Sequence, residues 1–281
     1  MIILFNKKIY IISICMEFHK NKEFERMFFI KKNYSVSRRA NIDNNVIIGD
    51  YCVIEDDVTI ESGSVLKNNV FIGSNTYIGK NNKIFSFATI GSISQDRKYS
   101  EEPTYLSIGN DNIIREYVSI NRSTFINSKT KIGNNNLFLA YSHIGHDCVI
   151  EDNITLGCYT ALGGHSVIMS NARICAHSIV VPFCRVANYS FLAANSKIIL
   201  DMMPYILAEG NPAILRGLNI WALKKYKNNS INIIYKIYKV IINNKINMNE
   251  KIEQITKIDP FDDLGYLSFI KNSKYGVISN A

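Results

Sequence analysis

The chain has 281 residues, 47% of them apolar, enough to bury a sizeable core as one large domain or two smaller ones. Its net charge of +8 suits acidic partners, but no basic run is interleaved with aromatics, so a nucleic-acid-binding module is not expected. The six cysteines form no CxxC and no regular ladder, and they read as buried free thiols in a reducing compartment.

The opening "MIILFNKKIYIISIC" is apolar, but it is too short and too broken by lysine to span a bilayer. It also lacks the order of a secretory signal, with charge first and a small-residue cleavage site later. Met16 and Met27 are alternative starts. Residues 1–27 are therefore expected to be an extension of unknown role, a targeting segment or an over-extended start.

From Ile42 onward, every sixth residue is a large aliphatic: Ile48, Ile54, Ile60, Leu66, Ile72, Ile78, Ile84 and Ile90. The register lapses at Asp96 and Glu102. It resumes in the same phase at Ile108 and continues through Ile114, Ile120, Ile126, Ile132 and Phe138 to Ile198. Two positions before the aliphatic the residue is small or β-branched, as at Ser64, Thr76, Thr124, Thr160 and Ser178, and Gly often follows it, as at Gly73, Gly133 and Gly157. A period of six fits neither an α-helix nor an isolated half-buried strand. It predicts a parallel β-solenoid with a triangular coil, one aliphatic per hexad inside, and small residues and Gly at the corners. Three hexads make a coil, so residues 18 apart stack at about the inter-strand spacing of 4.8 Å.

The polar segment 92–107 reads as a loop thrown outward, on the face where solenoids place their binding insertions. After "DMMPYILAEGNPA" the period changes. The segments "ILRGLNIWALKKYK", "INIIYKIYKVIINN", "NEKIEQITKI" and "DPFDDLGYLSFIKNSKYG" carry apolar residues at helical spacing. The expected division is a solenoid over 28–202 and a helical domain over 203–281 that caps the open end.

Within the solenoid, "SHIGHDC" (142–148) places His143 and His146 on either side of the inward Ile144, so both can face outward. One coil later, in "ALGGH" (161–165), Gly164 should stack over His146 and His165 over Asp147. A base beside exposed backbone N–H donors suits acyl transfer, where a proton leaves a hydroxyl and an oxyanion needs stabilising. Two other readings stay open at this point. The residues can be solvated turn side chains, or three imidazoles on neighbouring coils can ligate zinc, as in solenoid carbonic anhydrases. His177 is expected to be structural or at a subunit contact, and His19 falls in the extension.

Over roughly residues 28 to 277 the chain resembles the UDP-N-acetylglucosamine O-acyltransferases of lipid A biosynthesis. The resemblance is carried by "IFSFATIGSISQDRKYSEEPTYLSIG" (84–109), "SHIGHDC", "ALGGH", "MPYILAEGNPA" (203–213), "GLNIWALKK" (217–225) and "FIKNSKYGVI" (269–278). It implies a left-handed parallel β-helix, a homotrimer with active sites between subunits, and no metal or diffusible cofactor. It also implies transfer of a (R)-3-hydroxyacyl chain from acyl carrier protein to the 3-hydroxyl of UDP-N-acetylglucosamine, in the cytoplasm or an organellar stroma. Carried over residue by residue, His146 is the general base, Asp147 orients it and the Gly164 N–H serves the oxyanion. Asp96, Lys98, His143 and His165 hold the sugar and diphosphate, Asn219 and Lys225 contact the nucleotide, and Phe191 and Ala194 measure the acyl chain. Several positions depart from the family pattern. Val181-Pro182 replaces His-Gln, Trp221 replaces a glutamate, Lys225-Tyr226 replaces a basic pair, and "NRST" (121–124) replaces His-Arg-Gly-Thr. These departures leave open a trimeric scaffold that has lost substrate binding.

Overall fold

The computed structural model describes residues 2–5, 8–11, 33–225 and 230–279, with backbone alone for 2–5, 8–11 and 225. The chain divides into two compact units, residues 1–33 and 34–281. In the first, Ile2–Phe5 and Lys8–Ile11 pair as antiparallel strands. The rest of the extension, with His19 and both alternative start methionines, lies outside the described residues.

The second unit is the expected three-faced parallel solenoid. Among the described residues, a first face of nine strands runs from Ser35–Val36 to Lys197–Ile198, and a second of eight from Asn41–Ile42 to Arg185–Val186. A third face of ten strands runs from Ile47–Ile48 to Ile214–Leu218. Most strands are two residues long, the first pointing out and the second in. The register starts one hexad earlier than Ile42, because Val36 pairs with Ile54. Inside, Ile60, Ile72, Ile84, Ile114, Ile144, Leu162 and Leu192 are wholly buried. Burying each such side chain contributes about 1.5–3 kcal/mol, so one aliphatic per hexad stabilises a coil without any long strand. The small residues two positions earlier, Ser64, Thr160 and Ser178 among them, are buried as well.

The pairing offsets locate the insertions. Val149 pairs with Val167, 18 residues on, as a regular coil requires. Thr76 pairs with Leu106, an offset of 30, because two hexads leave the wall in the loop that contains Asp96 and Glu102. Ser119 pairs with His143, an offset of 24, so one further hexad is looped out. That second excursion corrects the reading of Ile126 as an inward residue, since Ile126 is 64% exposed.

The corners also differ from expectation. The left-handed corner positions hold Asn, Asp, Tyr, Phe and His far more often than glycine, which takes one at Gly63 (φ 74); examples are Asn81 (φ 57), Asp147 (φ 59) and His165 (φ 61). Asn and Asp tolerate this region. Aromatics there are compensated by their neighbours, since Phe87, Tyr117, Tyr141, Tyr159 and His177 form one column with ring centroids 4.6–5.0 Å apart. Glycine is needed instead where coils approach closely: a Cβ on Gly157 would lie 2.3 Å from the Ala176 nitrogen.

The predicted helical reading of "ILRGLNIWALKKYK" is corrected at its start. Ile206–Glu209 continues the third face beside Phe191–Leu192, and Ile214–Leu218 folds back antiparallel on it. Helices then follow as α1 (Ile220–Lys225), α2 (Ser230–Ile241), α3 (Met248–Ile258) and α4 (Tyr266–Lys271). Asn247 and Glu250 form a capping box at the start of α3, a device that satisfies two N–H groups reciprocally. The last coil is tied to this region by Arg185, which pairs with the buried Asp201 at 2.7 Å and donates to the Phe269 carbonyl at 2.8 Å. No described helix is long and apolar enough to cross a membrane.

Candidate active site

The strand His143–Ile144 ends the first face of its coil, and the turn after it leads to Val149–Ile150 on the second face. His146 and Asp147 therefore sit on the corner between those faces. Asp147 takes the left-handed conformation, and its N–H donates to Thr130 Oγ1 at 2.9 Å. Its carboxylate is then aimed at the preceding ring, with Oδ2 2.9 Å from His146 Nδ1. Thr124 closes the group from the second excursion. Its N–H donates to both Asp147 oxygens at 3.1 and 3.2 Å, and its hydroxyl lies 2.9 Å from His146 Nδ1 and 2.7 Å from Ser94 Oγ. With Nδ1 engaged, His146 presents Nε2 outward. Its side chain is 16% exposed, against 9% for Asp147.

The stacking expected one coil on is present. The His165 N–H donates to the His146 carbonyl at 2.9 Å, and Gly164 lies over the imidazole. The His165 ring meets His146 edge-on, lies flat on Phe183 at 4.6 Å, and brings Nε2 to 3.7 Å from Asp147 Oδ2. Burial pushes the His165 imidazole below its ordinary value, while Asp147 opposes that shift. His143, with Nδ1 2.8 Å from Ser119 Oγ, is also pushed down, by burial first and then by repulsion from His146. Asp96 reaches the cluster from the first loop. The Lys98 N–H donates to its carboxylate at 2.9 Å and holds it below the usual carboxylate range, with help from the charges of His146, Lys98 and His165.

The structure thus unites His146, Asp147, Gly164, His165 and Asp96, with Lys98 beside Asp96 and His143 three residues away in the chain. It does not bring the other expected residues to this corner. Asn219 is buried and caps α1, its Oδ1 accepting the Ala222 N–H and its Nδ2 donating to the Tyr189 carbonyl. The Lys225 side chain and Tyr226 lie outside the described residues. Phe191 points outward from the third face, and Ala194 occupies the corner between the third and first faces. Two departures have structural consequences: Pro182 packs on Gly163, where a Cβ would meet it at 2.6 Å, and the Arg173 guanidinium lies 3.9 Å over the Trp221 ring. The zinc reading asked for three imidazoles. The potential ligands gathered here are two imidazoles and a carboxylate, of Asp96, His146 and His165.

Sequence reasoning missed Thr124 as a site residue, along with Ser94 and Thr130. Thr124 matched the small-residue position of a hexad, and only the looping-out of that hexad carries it to Asp147.

A triangular hexapeptide solenoid with an oriented histidine on an outer corner, under a glycine of the next coil, defines the class of hexapeptide-repeat transferases. A family profile described as bacterial transferase hexapeptide (six repeats) matches residues 39–74 and 129–164. A second, described as Udp N-acetylglucosamine O-acyltransferase, domain 2, matches residues 201–278. The acyl-[acyl-carrier-protein]--UDP-N-acetylglucosamine O-acyltransferase of Aliivibrio fischeri is 37% identical over 196 residues, 68% of this chain and 75% of that protein. The identically named protein of Gloeothece citriformis is 39% identical over 176 residues, 62% of this chain and 64% of that protein. The crystal structure of UDP-N-acetylglucosamine O-acyltransferase from Moraxella catarrhalis superposes with a TM-score of 0.83 at 35% identity, covering 88% of this chain and 98% of that one. The chain belongs to the UDP-N-acetylglucosamine O-acyltransferase family, and its solenoid is a left-handed parallel β-helix with a helical C-terminal end.

Proposed function

We propose that the chain transfers a (R)-3-hydroxyacyl group from acyl carrier protein to the 3-hydroxyl of UDP-N-acetylglucosamine, the first step of lipid A biosynthesis. It is an O-acyltransferase, as its curated relatives are. The observation that carries the reading is the corner where Asp147 pins His146 through Nδ1 and Gly164 covers the ring from the next coil.

In this reading His146 Nε2 takes the proton of the sugar 3-hydroxyl as its oxygen attacks the thioester carbonyl. The C–O bond forms, and the carbonyl electron pair becomes an oxyanion to which the Gly164 N–H donates. Collapse breaks the C–S bond, and the imidazolium returns the proton to the departing thiolate. Asp147 holds the ring in the tautomer that leaves Nε2 as acceptor and stabilises the imidazolium. Asp96, Lys98, His143 and His165 surround the sugar and diphosphate, while Asn219 and Lys225 serve the nucleotide.

A homotrimer is part of the proposal. The outward residues of the first face from Ser35 to Ile179 include no Asp, Glu, Lys or Arg, with Val53, Phe71, Ala161 and Ile179 among them. The aromatic column of Phe87, Tyr117, Tyr141 and Tyr159, each about half exposed, borders that face. Such a surface suits burial against further copies of the chain. The free thiols of Cys52, Cys148, Cys158, Cys175 and Cys184 suit a reducing compartment, the cytoplasm or an organellar stroma. Burial pushes the Cys148 thiol up to about 12 and keeps it out of nucleophilic chemistry.

The deciding experiment is mass spectrometry of the product formed from UDP-N-acetylglucosamine and a panel of acyl carrier thioesters. The expected product is the 3-O-(3-hydroxyacyl) sugar nucleotide. Its absence with every thioester would favour the scaffold reading.

A further inference from the structure

Asp96, His146 and His165 each offer one ligand atom, and all three atoms lie within 4.8 Å of one another. Imidazole and carboxylate donors match open zinc sites, where three protein ligands leave a fourth position to water. Tetrahedral bonds of about 2.0–2.1 Å require ligand atoms about 3.4 Å apart, so small side-chain rotations close the set.

Two features separate this group from a chance cluster. Asp147 Oδ2 lies 2.9 Å from His146 Nδ1, which leaves the lone pair on Nε2. A carboxylate behind an imidazole orients metal-ligating histidines and raises their basicity. Asp96 is fixed as well: Oδ1 accepts the Lys98 N–H at 2.9 Å, and its own N–H donates to Ser94 Oγ at 3.1 Å. Lys98 supplies an opposing charge, but it is exposed, while the carboxylates of Asp96 and Asp147 both favour a cation. The paired imidazoles select a borderline-soft ion such as zinc over magnesium, which prefers oxygen ligands and keeps its water.

We propose that Asp96, His146 and His165 form a site for a divalent transition cation of the zinc type, and that filling it reversibly switches off acyl transfer. The ion occupies the same Nε2 lone pair that removes the substrate proton, so turnover and metal binding exclude each other. The inference rests on His146 acting as the general base.

The test uses full-length protein stripped with a chelator. It carries Cys158→Ser and Cys175→Ser, so that no partly exposed free thiol competes for zinc. Calorimetry with zinc chloride alone is expected to give one ion per chain, weakened about tenfold or more by Asp96→Asn or His165→Gln, since losing a ligand costs no less than losing a ligand's hydrogen-bond partner does. Magnesium chloride is expected to give no such isotherm. Turnover of the stripped enzyme should fall as the zinc site fills and recover when chelator is added. If either variant fails to fold, cobalt(II) in the parent protein decides: a tetrahedral nitrogen–oxygen spectrum supports the site, and a thiolate charge-transfer band overturns it. Zinc affinity unchanged in both variants, or full turnover at saturating zinc, overturns the proposal and leaves the acyltransferase reading intact. A stripped enzyme that is inactive and regains turnover with zinc overturns both.

Discussion

Gly164 lies against the ring of His146 so closely that a Cβ there would sit 2.4 Å from both Cε1 and Nε2. The ring cannot swing away without losing Asp147 Oδ2 and Thr124 Oγ1, each 2.9 Å from Nδ1. The glycine is therefore required by approach rather than by backbone angle. Gly164→Ala should displace the imidazole and lower kcat about a hundredfold, since a misplacement of about 1 Å carries that cost. The melting temperature should stay near wild type, because the substituted methyl meets a side chain at a corner and not the solenoid interior. Steady-state kinetics beside a thermal melt check this, and an alanine variant with normal kcat would show that the ring has room.

His146→Ala should abolish most turnover, by about 10²-fold or more, the scale of general-base catalysis. The His146 ring contributes nothing to the aliphatic column formed by Ile144 and Leu162, so the proposed trimer should survive, as read by size-exclusion chromatography with light scattering. Activity within twofold of wild type would remove His146 from the mechanism.

Thr124→Val keeps the backbone N–H that supports Asp147 but removes the hydroxyl facing His146 Nδ1 and Ser94. One neutral hydrogen bond is worth about 0.5–1.5 kcal/mol, so kcat should fall roughly 2- to 10-fold with KM little changed. Thr124→Ser restores the hydroxyl and should recover most of the loss. A serine variant as slow as the valine variant would mean that packing of the methyl, not the hydrogen bond, positions the base.

Burial holds both His143 and His165 below the ordinary imidazole value of 6.5. In the unfolded chain these groups take up protons at a higher pH than in the folded one. Between the unfolded and folded values the unfolded state therefore binds more protons, and stability falls as pH drops through that window. The melting temperature should be flat above pH 7 and decline as acid is added below 6.5. His143→Gln and His165→Gln together should flatten the part of that decline due to these residues. An unchanged slope in the double variant would assign the acid loss to other groups.

How much of this was legible in the sequence depends on the coil. A regular repeat converts spacing into contact, so the 18-residue step from His146 to Gly164 and from Asp147 to His165 could be read directly. The step fails where the chain leaves the wall. Thr124 meets Asp147 from a looped-out hexad, and Asp96 arrives from the other loop; its role came from family resemblance alone. Ile126 kept the phase of the repeat by coincidence of loop length, and phase cannot distinguish an inward aliphatic from one on an excursion. Ile214–Leu218 reads as helix because its Leu215 and Leu218 are three apart, but an open edge of the third face was available to pair with it.

An acyl-length preference, and the subunit that measures it, should follow from two corners of the coil. His146 stands on the corner between the first and second faces, and Ala194 on the corner between the third and first. Within one chain the first face separates them. From His146 to Ala194 is 48 residues, or about 2.7 coils, an axial rise of ~13 Å at about 4.8 Å per coil. That rise accommodates roughly ten extended carbon–carbon steps. A threefold arrangement with the first faces inward would place one subunit's Ala194 corner beside its neighbour's His146 corner at unchanged height. The methyl of Ala194 and the ring of Phe191 should then close the groove, giving a preference for chains of about 10–12 carbons. Ala194→Gly, more so with Phe191→Met, should shift the optimum upward. Mixed trimers tell whether the ruler acts across the interface. When Ala194→Gly chains are assembled with a large excess of His146→Ala chains, every working base belongs to an Ala194→Gly chain and nearly every one faces a partner that keeps Ala194. A ruler in trans then yields the short-chain optimum of wild type, and a ruler in cis yields the long one. A wild-type optimum of 14 carbons or more, unmoved by either substitution, would place the ruler elsewhere in the solenoid.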